Sequence, residues 1–283
     1  MLLLQNICVQ TFAIQVMEIL GYIAAILMGI SLGLIGVGGA ILTVPVLVYL
    51  FHVEPLDATS YSLLIVGITA SFGSLQYYRR GFVKTRIVVS FGLPAVIAGI
   101  LVRKLLLPAI PEKIIDIGSV TITNAMLLML WFSILMIAAS FSMIKKAVIL
   151  QNELNVIRNV NYKMITVQGF IIGAVSGSVG VGGGFLIIPA LVIISKFPIR
   201  EAVGTSLAII VFNSLLVFIG SAHHDKINWV LLLSLTILAI IGTFIGFKLS
   251  HKVDGNKLKP AFGYFVLLMG IYIIAMELFF KKH

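Results

Sequence analysis

Residues 176–194 read SGSVGVGGGFLIIPALVII, and residues 32–50 read LGLIGVGGAILTVPVLVYL. Each stretch plants a glycine cluster in an apolar run and places a proline five or six residues later. They fall into register at a spacing of 144: Gly36, Gly38, Gly39 and Pro45 match Gly180, Gly182, Gly183 and Pro189. Gly29 and Gly33 match Gly173 and Gly177 at the same spacing. Thr59-Ser60 returns as Thr205-Ser206 and Gly73-Ser74 as Gly220-Ser221, with small drifts in offset of the kind loop insertions produce. Ordered landmarks across nearly the whole chain mark an internal repeat.

Composition fixes the solvent. The 283 residues are 60% hydrophobic and 11% charged, with a mean hydropathy of +1.15; a soluble domain carries about 25% charged residues. Several apolar stretches approach or exceed the ~20 residues that a helix needs to cross hydrocarbon. They are continuously rich in Leu, Ile, Val and Ala, without the alternation of a β-barrel. The expected class is an all-α polytopic membrane protein in the cytoplasmic membrane. The net charge of +10 sits in short loops between apolar runs, as cytoplasmic retention of Lys and Arg requires, so nucleic acid is not an expected partner. Cys8 is the one cysteine, which excludes an intramolecular disulfide and a cysteine-based metal cluster. The opening residues lack a basic n-region and a small-residue cleavage site, and Met17 is an alternative start.

Each half divides into five apolar pieces: about 18–35, 40–51, 58–77, 87–107 and 120–144, then 163–179, 184–195, 202–222, 228–249 and 260–280. Residues 1–17 are thus an N-terminal extension, 18–145 a first transmembrane repeat, 146–162 a cytoplasmic linker and 163–280 a second repeat. The piece after each glycine cluster spans only ~18 Å of helix, too short for a ~30 Å core. A hairpin that enters and leaves on one side fits better. Under that reading fourteen Lys/Arg share one face against six on the other, the six being Arg103, Lys104, Lys113, Lys226, Lys281 and Lys282. Counting each hairpin as one broken span gives eleven against nine. The excess of basic residues on cytoplasmic loops favours the first reading. Three further spans per half is an odd number, so the second repeat is expected upside down relative to the first, as in many secondary transporters.

Breaking a helix in lipid exposes N–H and C=O groups at several kcal/mol each, unless protein or a water-filled cavity surrounds them. Glycine lets a ligand approach that backbone, and the helix that follows aims its positive end and free N–H groups at the same spot, which favours an anion. Gly36, Gly38, Gly39, Gly180, Gly182, Gly183 and Gly184 are therefore candidate binding positions, in two hairpins expected to converge in a donor-rich pocket of little formal charge. Gly29, Gly33, Gly242 and Gly246 are read as close-packing positions. Thr59, Ser60, Thr205 and Ser206 lie near helix starts, where they either cap or face the pathway. Asn213 lies two turns after Ser206 on the same face, within an apolar run, and needs polar partners; Thr69 and Ser71 are its first-half candidates. The five histidines fall in loops or at the terminus. No catalytic residues, metal site or cofactor are expected: Ser-His-Asp order, a Walker lysine and the acidic partner of a dinucleotide fingerprint are all missing.

The duplicated motifs GVGGAILTVP and GVGGGFLIIP resemble those of the TauE/SafE family of sulfite exporter-like permeases, and the resemblance runs from about residue 18 to 280. It implies export or permeation of a small sulfur-containing anion, such as sulfite, thiosulfate or an organosulfonate, with the motif glycines and prolines at the site. Expected partners are that solute and membrane lipid, with a homo-oligomer open. A small-carboxylate transporter and a non-transporting assembly subunit are the alternatives. Ala40 stands where the second motif has Gly184.

Overall fold

The computed structural model describes residues 2–36, 38–111, 113–117, 120–144, 161–180, 182–194, 197–221, 227–250 and 255–280. Helices dominate them: α1 (Leu2–Ile35), α2 (Gly38–Tyr49), α3 (Pro55–Arg79), α4 (Thr85–Leu101), the single turn α5 (Leu107–Ala109), α6 (Asn124–Ile144), α7 (Tyr162–Val179), α8 (Gly184–Pro189), α9 (Ile199–Ser221), α10 (Trp229–Ser250) and α11 (Gly255–Ala275). Helices α4, α8 and α11 each continue into a π-helical turn, at Val102–Leu106, Ala190–Ile194 and Met276–Phe280. Six helical segments are long and apolar enough to cross a membrane, while Gly39–Tyr49 and Phe262–Leu278 are shorter. Residues 146–160 of the expected linker lie outside the described residues.

Two details differ from the sequence reading. Helix α1 runs from Leu2, so residues 2–17 and the first apolar piece share one helix. The fifth piece does not begin as helix: β1 (Lys113–Ile117) and β2 (Val120–Thr123) pair antiparallel before α6. The β-branched residues of these two strands favour the extended backbone.

Glycines set the register of the bundle. Helices α1 and α10 run parallel, with Gly29 against Ala239, Gly33 against Thr243 and Gly246 against Ile30, backbone to backbone. Helices α4 and α7 repeat this with Gly169 on Phe91, Gly173 on Ala95 and Gly177 on Gly99. Without side chains, the backbones close to van der Waals contact, which supplies packing where lipid supplies no hydrophobic drive. Thr243 Oγ1 adds a hydrogen bond to the Gly29 carbonyl, 3.2 Å.

The helices that carry the matching Thr-Ser pairs, α3 and α9, run antiparallel: Gly204 meets Tyr77, Gly73 meets Leu207 and Gly67 meets Leu215. Helices α6 and α11 pack together. Exchanging α1 for α7, α3 for α9, α4 for α10 and α6 for α11 returns the same set of principal pairs. The pairs α1–α10 and α4–α7 are thus parallel and join the two halves of the chain, with α3 and α9 antiparallel between them.

The loops sort by end. Lys84 Nζ lies 3.4 Å from Glu201 Oε1, its backbone N–H donates to Thr205 Oγ1 at 3.1 Å, and the Arg80 guanidinium sits 5.0 Å over the Phe247 ring. The α3–α4 turn, the start of α9 and the end of α10 therefore share one end. At the opposite end the Asn228 N–H donates to Tyr61 Oη at 2.7 Å. Leu27, Ile97, Val230 and Leu268 point outward, apolar surface suited to lipid.

Candidate functional site

Both glycine clusters break their helices as expected. Gly36, Gly180, Gly182 and Gly183 all have positive φ, between 68° and 85°, a region closed to most residues and natural to glycine. The N–H of Gly36 bonds the Leu32 carbonyl and that of Gly180 the Ser176 carbonyl, each 2.8 Å. Those two amides finish the preceding helices and are not offered to a ligand. At the start of α8 the Leu186 and Ile187 N–H groups donate to the Gly183 carbonyl, at 2.9 and 3.0 Å; only the earliest amides of α2 and α8 have no acceptor within their own helix. Pro45 sits inside α2, and Pro189 ends α8 where the π-turn begins.

The breaks are closed and set apart. Gly36 abuts Val203 and Leu207, whereas Gly182 abuts Ile210 and Ser214. These contacts lie seven positions apart along α9, or roughly 10 Å, while the following arms of the two hairpins, α2 and α8, touch. A cavity of about 10 Å³ touches the first break, lined by Gly29, Gly39, Thr43 and Thr69 among others, about the room one water molecule needs. Thr69, the expected counterpart of Asn213, is thus beside the first break; Ser71 bonds the Gly67 carbonyl of its own helix, 2.8 Å.

Asn213 joins the second break directly. It is 2% exposed; its Nδ2 donates to Ser176 Oγ at 2.9 Å and reaches toward the Gly182 carbonyl at 3.5 Å. Its Oδ1 and the neighbouring Ser214 Oγ are buried without a hydrogen-bond partner. Gly183, at the N-cap of α8, packs on Ser176, and Gly184 opens that helix.

Thr59 and Ser60 do not cap α3, whose N-cap is Glu54; both hydroxyls donate to the Leu56 carbonyl, at 2.7 and 3.4 Å. Their lone pairs face Arg103, a residue the sequence reading assigned to a loop. Arg103 lies on the π-turn after α4 and is buried. Its NH1 donates to Ser60 Oγ at 3.1 Å, its Nε to the Gly177 carbonyl at 3.0 Å, and its NH2 to Thr59 Oγ1. Gly180 packs against the Thr59 backbone. One guanidinium thus ties the end of α4 to the start of α3 and to the last turn before the second break. The expectation of a pocket with little formal charge is overturned: its second break carries a buried cation, bonded among the described residues to neutral oxygens.

Thr205 and Ser206 are fully buried and serve the other end. Thr205 accepts from the Lys84 N–H, and Ser206 Oγ donates to the Val203 carbonyl at 2.9 Å. The structure therefore gathers Thr59, Ser60 and Gly180 with Arg103, and Asn213 with Gly182, Gly183 and Ser176. Gly36, Gly38 and Gly39 form the first break separately. Among the described residues no group of His, Cys, Asp and Glu could hold a metal ion.

An apolar cavity of about 360 Å³ flanks the Arg103 cluster, with Leu56, Val102, Leu106, Trp131, Val175 and Ser178 in its wall. Leu56, Val102 and Ser178 each neighbour a member of that cluster in sequence or by hydrogen bond. Trp131 Nε1 donates to Ser178 Oγ at 3.2 Å.

The family model described as sulfite exporter TauE/SafE matches residues 21–273. A probable membrane transporter protein of Xylella fastidiosa is 30% identical over 254 residues, covering 88% of this chain and 91% of that relative. The Bacillus subtilis probable membrane transporter protein YdhB is 28% identical, over 83% of this chain and 91% of its own length. YunE of the same organism is 26% identical across 92% of this chain and the full length of that relative. No solved structure matches.

Proposed function

The chain belongs to the sulfite exporter TauE/SafE family of membrane transporters, and from that premise we propose that it moves a small sulfur-containing anion across the cytoplasmic membrane, held at Arg103 and the second glycine break. One observation carries the reading: a buried guanidinium whose bonds run to two hydroxyls and a carbonyl. A charge taken out of water without an opposite charge costs several kcal/mol. A bound anion removes that penalty and adds charge-assisted hydrogen bonds, the stronger kind.

The site is then Arg103 with Thr59 and Ser60, the backbone at Gly182, Gly183 and Gly184, and Asn213 turned toward the same break. Gly36, Gly38 and Gly39, with Thr69, form the matching station one step along α9. Thr205 holds the contact to Lys84 at the other end, beside Ser206. The proposed topology is an inverted repeat, 18–145 and 163–280, with Arg80, Lys84 and Lys248 on the cytoplasmic side and each glycine hairpin returning to the side it entered. Closed breaks at both levels fit an occluded stage of alternating access. The neighbouring apolar cavity suits the hydrocarbon body of an organosulfonate better than it suits bare sulfite.

Flux into proteoliposomes containing the purified protein tests this, with sulfite, thiosulfate, sulfoacetate and a carboxylate of matched size as separate substrates. Uptake of a sulfur anion that Arg103→Met abolishes supports the reading. Uptake of the carboxylate alone moves the assignment to that class. No flux and no ligand-induced rise in melting temperature with any anion leaves the assembly-subunit alternative and overturns transport.

A further inference from the structure

A second ionisable side chain is buried among the membrane helices and has no part in the anion site. Glu277 is 1% exposed and lies on the π-turn that extends α11. The helix around it, Phe262–Leu278, is apolar. Ionisable groups at such places are expensive and mark ion or proton pathways, and π-turns interrupting α-helices recur at functional positions. Tyr49 Oη donates to Glu277 Oε1 at 3.2 Å. Tyr49 is the last residue of α2, the arm that returns from the first glycine break, so this bond anchors the hairpin to α11.

Among the described residues, the packed helices carry the following ionisable groups. On α11 itself, Lys257 and Lys259 lie in its first two turns, far along the helix from Glu277, Tyr272 stands edge-on to Tyr49, with ring centroids 6.0 Å apart, and Tyr264 is exposed. Helix α6, packed along α11, has no ionisable side chain between Asn124 and Ile144. Helix α1 brings Glu18, which is exposed, and Tyr22, whose ring packs on Phe51. Helix α2 brings Tyr49 alone.

Resting on the transport reading above, we propose that Glu277 is the proton-binding site of the transport cycle. Its carboxylate takes up one proton to become a neutral carboxyl and later returns it; no other bond forms or breaks. Hydrogen bonds to an ionised acceptor are roughly twice as strong as neutral ones, so protonation loosens the hold on Tyr49 and frees α2. Release of the proton restores the anchor. The first hairpin is thereby coupled to proton occupancy, and the second, through Arg103, to anion occupancy.

The test uses the full-length protein in lipid vesicles with labelled sulfite and an entrapped pH dye. Two fluxes are compared: accumulation driven by a pH gradient, and exchange against unlabelled internal sulfite. In Glu277→Gln, which keeps an acceptor for Tyr49 but carries no exchangeable carboxyl proton, the ratio of driven to exchange flux falls to its value without a gradient. A ratio equal to that of the unaltered protein overturns the proposal. Infrared difference spectra after a pH jump supply a reading that needs no flux. A protonated-carboxyl band is expected in the unaltered protein, shifted in Tyr49→Phe and lost in Glu277→Gln. Persistence of that band in Glu277→Gln overturns the proton site. The band present without flux of any anion supports the proton site and refutes the transport reading instead.

Discussion

Arg103→Met separates a binding role from a structural one, because the two roles predict opposite patterns of stability. The substitution removes three hydrogen bonds from Arg103, to Thr59, Ser60 and Gly177. The hydroxyls of Thr59 and Ser60 keep the Leu56 carbonyl as acceptor, so the group left wanting is the Gly177 carbonyl, at about 1–3 kcal/mol for a buried unsatisfied acceptor. Against this, removing a buried cation bonded, among the described residues, to neutral oxygens relieves several kcal/mol of desolvation. The melting temperature without ligand therefore stays level or rises. Binding behaves otherwise: losing two charge-assisted bonds to the anion, at about 1.5 kcal/mol each, weakens the dissociation constant roughly 100-fold. At an anion concentration 100 times the original dissociation constant, ligand stabilisation falls from about 2.7 to about 0.4 kcal/mol. Thermal melts of the unaltered and Met proteins, with and without sulfite or sulfoacetate, measure both quantities. A Met variant that melts far lower alone yet keeps its full ligand shift refutes the reasoning. Arg103→Lys, which retains charge without the planar fork, is expected between the two.

Gly182→Ala places a methyl on Ser214 Oγ at a residue with φ of 68°, and is expected to lower stability by about 1–3 kcal/mol and to stop flux; adding Ser214→Ala restores part of the stability, and a double-mutant cycle without coupling refutes the contact. Asn213→Leu loses the bond to Ser176 and is expected to weaken anion binding about tenfold at a stability change near 1 kcal/mol, read from the same melts. Lys84 and Glu201 are both partly exposed, 44% and 22%, so Glu201→Gln changes unfolding free energy by less than about 1 kcal/mol; a larger loss in denaturant melts refutes the surface assignment. In a Cys8→Ser background, cysteines at positions 80 and 248 are expected to label from the cytoplasmic side and one at 104 from the other; labelling of 80 and 248 from different sides refutes the inverted topology.

Most of the architecture is written in spacing. Two glycine clusters at one offset, a short apolar piece after each and an odd number of spans sufficed to expect broken helices and opposed halves. The lateral pairing was not legible, because which glycine stripe meets which partner is a tertiary choice; the two breaks touch α9 about two turns apart, while their arms α2 and α8 meet. The two buried charges were missed for a common reason. Arg103 adjoins Lys104, and counting both as loop residues obscured that adjacent helical positions face about 100° apart, one inward and one outward. Glu277 lies between IIAM and LFF, an acid in hydrocarbon that should have marked a site. Strand β2 falls within the expected piece 120–144, where its β-branched residues were counted as helix, whereas β1 lies between the pieces.

The glycine stripes cross between halves. The C-terminal part of α1 is bound to α10, and α7 to α4, so each of these close-packed pairs takes one helix from each half of the chain. A single repeat made alone would leave its stripe of backbone bare to lipid, while the two fragments made together would find each other by that seam. The largest helix contacts of the fold each join the first half of the chain to the second.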